Sequence, residues 1–510
     1  MLSKVNSGAL LGLNFIKVIC EIDISTKGFP AYFLVGLPDN AVKESRERII
    51  SAIKNSGFEF PSNDRITINL APADLKKEGS LYDLPIAIGI LIGAEKIYPK
   101  INLDDFVFLG ELSLDGSLRP VKGVLPITAG LKKYGIKNII VPFENRFEAS
   151  IVKEVNVYAF KTLKEVVDFL TGKLKKDPFK DDTKSINSLS TYNIDFKDVK
   201  GHFHAKRAIT IAAAGGHNIL MIGPPGSGKS MLAKRIPTIL PDLTYEEMLE
   251  TTKIYSIGGL LTEDTPLITK RPFRAPHHTT SSVALIGGGS SLKPGEVSLA
   301  HNGVLFLDEL PEFKRGVLEV LREPLENGYV TISRARGSVR YPARFMFVAA
   351  MNPCPCGYYG DPEHTCSCSL SEIKRYRSKV SGPLLDRIDI YLDVPRVDVE
   401  KLMEDEMSES SLEMKNKVVK AREIQYFRYK RHKNILLNSH LPPNLIEKYV
   451  ILSKEAKNIL KMAIKKFNIS NRGFHRILKL SRTIADIDNS EKVDEKHILE
   501  AIGYRTSLEL

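Results

Sequence analysis

No run in this 510-residue chain reaches the roughly 18 apolar residues that a helix needs to span a bilayer. The longest candidate, Leu84 to Ala94, falls short, so no membrane-spanning segment is expected. Export signals are equally thin. Lys4 followed by Gly8 to Phe15 imitates the start of a signal peptide, but Lys17 interrupts it and no small-residue cleavage site follows. A cytoplasmic protein with no membrane partner is expected. Cysteine is scarce: five in all, four of them between 354 and 368, which points to a metal or local redox site more than to a disulfide framework. Cys20 reads as a core residue. Internal repeats and collagenous bias are absent too, which removes solenoids and fibres.

What is there describes a globular protein with several cores. Apolar residues make up 43% and charged residues 26% of the chain, and its length exceeds what one core supports, so two to four domains are expected. The formal net charge of +12 attracts polyanions, nucleic acid first. Texture divides the chain into residues 1–172, a polar linker at 173–195, residues 196–397 and residues 398–510. The first block mixes β-rich runs (Val18 to Ile24, Ile66 to Leu70, Phe106 to Leu109, Asn138 to Val141) with helical patterns at Ala41 to Ser56 and Leu84 to Ala94, an α+β arrangement. The third is α/β, with apolar strands separated by helices, and the last reads almost wholly helical.

One motif dominates. Asn218 to Ile222 is a short apolar strand running into Gly223, Pro224, Pro225, Gly226, Ser227, Gly228, Lys229 and Ser230, the P-loop pattern in its strand-to-helix context. Such a loop turns backbone N–H groups around phosphates, brings Lys229 to the β/γ oxygens and offers the Ser230 hydroxyl to magnesium, so ATP and Mg2+ are the expected cofactors. Val304 to Leu307 is a second buried strand, ending in Asp308 and Glu309. Asp308 can hold magnesium through water, and Glu309 can orient and deprotonate an attacking water. A third apolar strand leads into Asn352, beside the γ-phosphate end of the same sheet.

Two further features carry charge or ligands. Tyr329 to Phe347 sets Arg334, Arg336, Arg340 and Arg344 about Gly337, a basic hairpin that either tracks a phosphate backbone or is a solvated edge. Cys354, Cys356, Cys366 and Cys368, on a loop at 353–369, offer four soft ligands for Zn2+, with reduced thiols or a redox pair as the alternative and His364 as a substitute ligand. Lys420 to Lys433 combines dense positive charge with Tyr426, Phe427 and Tyr429; the charges suit DNA, while the aromatics are expected in the core.

Asp198-Val-Lys-Gly201, Phe273-Arg-Ala-Pro-His277-His278, Asn352-Pro-Cys-Pro-Cys-Gly357, Ser381-Gly-Pro-Leu-Leu-Asp386-Arg387-Ile-Asp389 and Arg476 to Asp486 resemble the ComM/YifB family of magnesium chelatase-like AAA+ proteins. The resemblance implies a P-loop AAA+ module with a helical lid, working as a homo-oligomeric ring, read as a hexamer. It places Asn352 at sensor 1, Arg387 at the arginine finger and Arg472 at sensor 2. From the bare sequence Arg387 would be an ordinary ion-pair partner of Asp386 or Asp389. His202 departs from the glutamine expected after Gly201. The resemblance further implies a motor that moves DNA, as in branch migration during natural transformation, with remodelling of a protein partner as the alternative. Gly79 to Pro85 and Gly116 to Pro126 are similar to the Lon-protease-type fold related to ribosomal protein S5 domain 2. Leu81 and Leu125 stand where that peptidase needs its serine and lysine, with Ser80 and Lys122 as near misses, so no peptidase activity is expected.

Overall fold

The computed structural model describes residues 1–180, 192–262, 265–289, 292–334, 337–397, 408–432 and 434–506. Its N-terminal part opens with a long hairpin of β1 (Leu2–Leu11) and β2 (Asn14–Ser25). With β3 (Ala31–Val35) and β4 (Arg65–Ala71) it forms a sheet in the order β1-β2-β4-β3, antiparallel except for β3 beside β4. The signal-like start is therefore a strand. Its Gly8 lies where a Cβ would sit 2.6 Å from the Phe15 ring, so the small residue admits the aromatic one across the hairpin.

The apolar run at 84–94 forms α1 (Asp83–Gly93), buried around nearly its whole circumference and packed on β1 and β2. That is why its sequence shows no polar face. A second, parallel sheet of β5 (Phe106–Phe108), β6 (Asn138–Pro142) and β7 (Asn156–Phe160) completes the α+β part. The expected linker begins later than its composition suggests. Phe179 donates its N–H to Val157 O at 2.7 Å and meets the Phe147 ring edge-on, so packing continues through the polar stretch from Lys173. Residues 181–191 of that linker lie outside the described residues.

The next part is built on five parallel strands: β8 (Ile219–Ile222), β9 (Phe273–Arg274), β10 (Val304–Leu307), β13 (Met346–Met351) and β14 (Ile390–Asp393), in the order β9-β10-β13-β8-β14. Between β10 and β13 the chain makes a hairpin of β11 (Tyr329–Arg334) and β12 (Gly337–Pro342). Strands β8, β10 and β13 are buried along their whole length, as expected for a parallel sheet covered on both faces. Their carboxyl ends open onto one crevice. Helices α2 (Phe203–Gly215) and α3 (Lys229–Ile239) flank β8 in the chain.

Residues 408–506 are helical, with α4 (Ser411–Tyr429) and α5 (Asn471–Ile487) the longest elements. Helix α4 is tied to α2: Arg422 donates to Ala213 O at 2.7 Å and Gln425 to Ala214 O at 3.1 Å. A buried polar cluster joins α4 to α5. Asp486 accepts from Arg428 at 2.8 Å, Asn438 at 2.8 Å and Arg482 at 3.1 Å, so a carboxylate deep among helices is fully paired.

Candidate nucleotide site

The P-loop leaves β8 at the centre of the sheet. A side chain at Gly223 would strike Val394 O at 2.1 Å, and Gly228 takes φ +83° just before α3, so both positions require glycine. Residues 225–231 join Asp308, Glu309 and Asn352 around a depression of about 390 Å³. Residues read from the three strand ends thus meet in one place.

Lys229 is buried, and its ammonium donates to Gly223 O at 2.7 Å and Pro224 O at 2.8 Å, with Asn352 Oδ1 and Ser227 Oγ each at 3.4 Å. The Ser230 hydroxyl donates to Asp308 Oδ2 at 2.5 Å, placing two hard oxygens together at a helix N-terminus. This donor set fits a Mg2+–triphosphate: cationic and N–H groups for the phosphates, and a hydroxyl with a carboxylate for the metal. Glu309 sits on left-handed backbone at φ +50°, which turns its carboxylate outward, and its side chain remains 59% exposed.

Burial lowers the Lys229 pKa to about 8, against the opposing pull of the Asp308 carboxylate. A bound polyphosphate favours the charged amine. Below pH 8 the free protein already carries the proton; above it, binding must take one up, so affinity for Mg2+–ADP should weaken by up to about tenfold per pH unit. Titration of a fluorescent ADP analogue across that range should show the loss, and Lys229→Arg, whose charge does not titrate, should flatten it. A flat wild-type profile would disprove the assignment.

Neither Arg387 nor Arg472 lines this depression. Arg387 pairs with Glu326, not with Asp386 or Asp389, and donates to Pro383 O at 2.8 Å. Asp389 is instead held by Arg476 and His217, which keep its buried carboxyl far below the usual range. Arg472 is exposed and reaches Asp386 at 3.5 Å, next to Arg387 in the chain.

Known proteins match this chain along its length. The family models described as "Subunit ChlI of Mg-chelatase", "Magnesium chelatase, subunit ChlI" and "Magnesium chelatase, subunit ChlI C-terminal" match residues 20–145, 195–402 and 408–505. Competence protein ComM of Haemophilus influenzae is 44% identical over 514 residues, covering 100% of this chain and 98% of that one. The YifB protein of Salmonella typhimurium is 43% identical over 506 residues, covering 99% of this chain and 97% of that one. The chain belongs to the ComM/YifB family of magnesium chelatase-like AAA+ proteins. Over a shorter stretch of 176 residues it is also 32% identical to Lon protease 2 of Bacillus subtilis, covering 32% of this chain and 30% of that one.

Membership of this AAA+ family implies ATP and Mg2+ as cofactors. Two residues close to the P-loop were not assigned a role from sequence. His278 faces Glu309, Nδ1 to Oε2 at 3.2 Å, because β9 runs parallel beside β10 and releases its next residues at the same sheet edge. The sheet order, invisible in the sequence, was the missing signal. His202 is buried against the loop, its Nε2 3.5 Å from where a Cβ on Gly228 would lie, and burial lowers its pKa. The histidine that replaces the expected glutamine therefore contacts the P-loop itself.

The basic hairpin is β11 and β12. Val330, Ile332, Val339 and Tyr341 bury one face, while Arg340 stays exposed on the other with its guanidinium 3.9 Å from the Tyr329 ring centre. A purely solvated edge does not describe it. Its buried face meets the N-terminal part, since a Cβ at Gly12 would lie 2.3 Å from Val339 Cγ1. Arg336 and the Arg334 side chain lie outside the described residues.

On α4, Tyr429 is buried, but Tyr426 and Phe427 are each 67% exposed. The expectation that all three aromatics belong to the core is corrected: Phe427 stands two residues from Tyr429 and so points to another face of the helix, and Tyr426, although three residues from Tyr429, is exposed as well. In the N-terminal part Ser80 is bonded to Glu111, and the Lys122 stem crosses Gly259. Leu125 is buried with its N–H on Glu148 at 2.9 Å.

Proposed function

We propose that this protein is an ATP-driven AAA+ motor that forms a ring, a hexamer, and moves DNA, with a ComM-like part in branch migration during recombination in natural transformation. The observation that carries the hydrolytic reading is the convergence of Lys229, the Ser230–Asp308 pair, Glu309 and Asn352 on one depression. Magnesium, when bound, supplies charge neutralisation to the phosphates. Lys229 binds the phosphates, Asn352 orients the γ-phosphate end, and Glu309 takes the proton of the attacking water.

Arg387 and Arg472 serve the nucleotide of the neighbouring subunit. Their absence from their own depression supports that role, as does the contact of Arg472 with Asp386, the chain neighbour of Arg387. The helices from 408 onward act as the lid. Arg422 and Gln425, bonded to α2 carbonyls, pass a shift of the lid to the core.

The DNA reading is supported by exposed Tyr426 and Phe427 on α4 with Lys420, by Lys430 and Arg431 just past the end of that helix, and by Arg340 on the hairpin, combining backbone attraction with stacking surfaces. The second reading, an ATPase that remodels a protein partner, rests on the match of three segments to magnesium chelatase subunit models. ATPase rates with and without single-stranded and branched DNA, at fixed salt, decide between them. DNA stimulation with resolution of branched substrates is expected; hydrolysis indifferent to DNA would favour the protein partner.

A further inference from the structure

The four clustered cysteines take no part in the reading above. Their Sγ atoms all lie within 4.8 Å of one another, with 3.3 Å from Cys354 to Cys356, 3.6 Å from Cys356 to Cys366 and 3.7 Å from Cys354 to Cys366. A tetrahedron with Zn–S bonds of about 2.3 Å has edges of about 3.8 Å. Two backbone donors already point at sulfur: the Cys356 N–H lies 3.4 Å from Cys368 Sγ and the Tyr359 N–H 3.3 Å from Cys354 Sγ. Such N–H groups stabilise metal-bound thiolates. His364 is engaged elsewhere. Its ring stacks on Tyr358 at 4.8 Å and its Nδ1 faces Asp361 and Arg396, which leaves an all-sulfur ligand set.

The same loop runs beside the nucleotide depression. It follows directly on Asn352, which lines that depression and whose amide faces Lys229. Gly357 lies so close to the P-loop that a Cβ there would sit 2.7 Å from Pro225 Cδ. Arg396 spans the two, donating to Pro225 O at 3.3 Å while facing His364 and Asp361. Yet of residues 355–369 only Gly357 is buried, so apolar packing does not hold the loop in this shape. A cross-link through sulfur would.

We propose that Cys354, Cys356, Cys366 and Cys368 bind one zinc ion, and that this metal holds the loop against Pro225 and Asn352, so that removing it weakens nucleotide binding at Lys229. The second half rests on the nucleotide reading of the P-loop; the first does not.

The test uses the full chain. Zinc is measured by elemental analysis after purification without chelators, and cobalt is exchanged in to read the intense visible bands of a tetrahedral tetrathiolate. One metal per chain is expected, lost in Cys366→Ser/Cys368→Ser. Failure to take up zinc or cobalt stoichiometrically would overturn the metal site. Affinity for a fluorescent ADP analogue is then compared in the zinc-loaded protein, in protein stripped by a mercurial and in protein reloaded with zinc, with circular dichroism monitoring the fold. A loss of about tenfold or more on stripping, recovered on reloading, is expected, the size of one lost polar contact. Equal affinity in the stripped, folded protein would overturn the coupling. Zinc-loaded protein that binds no nucleotide at all would instead refute the nucleotide reading and leave the metal result intact.

Discussion

Glu309→Gln should leave nucleotide bound while lowering kcat for ATP hydrolysis by about 10²- to 10⁴-fold, the usual worth of a positioned general base. The substitution keeps the volume of the side chain and its left-handed backbone at φ +50°, a conformation already adopted by a non-glycine residue. It also leaves untouched the groups that would grip the phosphates and metal, since Lys229 bonds to the P-loop carbonyls and to Asn352, and Ser230 to Asp308. What it removes is a carboxylate able to accept a proton, now held 3.2 Å from His278 at the open side of the depression. Single-turnover hydrolysis and a direct count of bound ATP separate the two effects. A rate within about tenfold of wild type would remove Glu309 from the role of base, and loss of binding would mean the carboxylate is needed for the fold of the site.

That Lys229, Ser230, Asp308, Glu309 and Asn352 would gather at one candidate site was largely legible in the sequence, and the reason is local. A P-loop needs particular glycines, a lysine and a hydroxyl at fixed spacing, and a buried parallel strand announces itself as a continuous apolar run before Asp308. Features that depend on which strands are neighbours were hidden. His278 reaches Glu309 because β9 lies beside β10, although some thirty residues of chain separate them. The partner of Arg387 was misjudged for the same reason: proximity in sequence favoured Asp386 and Asp389, whereas Glu326 comes from the segment before the hairpin. Amphipathic residues misled in both directions. Polar composition suggested a linker from Lys173, but Phe179 anchors that stretch, and the aromatics of α4 divide between core and solvent.

Arg387→Ala should cost still more, about 10³- to 10⁵-fold in kcat, the range found when an arginine finger is supplied or withheld. In its own chain the guanidinium rests on Glu326 and Pro383 O, and among the described residues its buried Nε has no hydrogen-bond partner. A donor left unpaired inside the protein is costly unless another group arrives to meet it. If that group is the γ-phosphate held by the next subunit, the defect must be complementable. Subunits carrying Arg387→Ala keep a complete P-loop, and subunits carrying Lys229→Ala keep a complete finger. Mixed rings of the two therefore contain interfaces in which an intact Lys229 faces an intact Arg387, and ATPase activity should reappear on mixing two inactive proteins. Persistent inactivity at every mixing ratio, with mixed assembly confirmed by tag pull-down, would place Arg387 in service of its own chain. Near-normal activity of Arg387→Ala alone would reduce it to the surface ion pair that the bare sequence suggests.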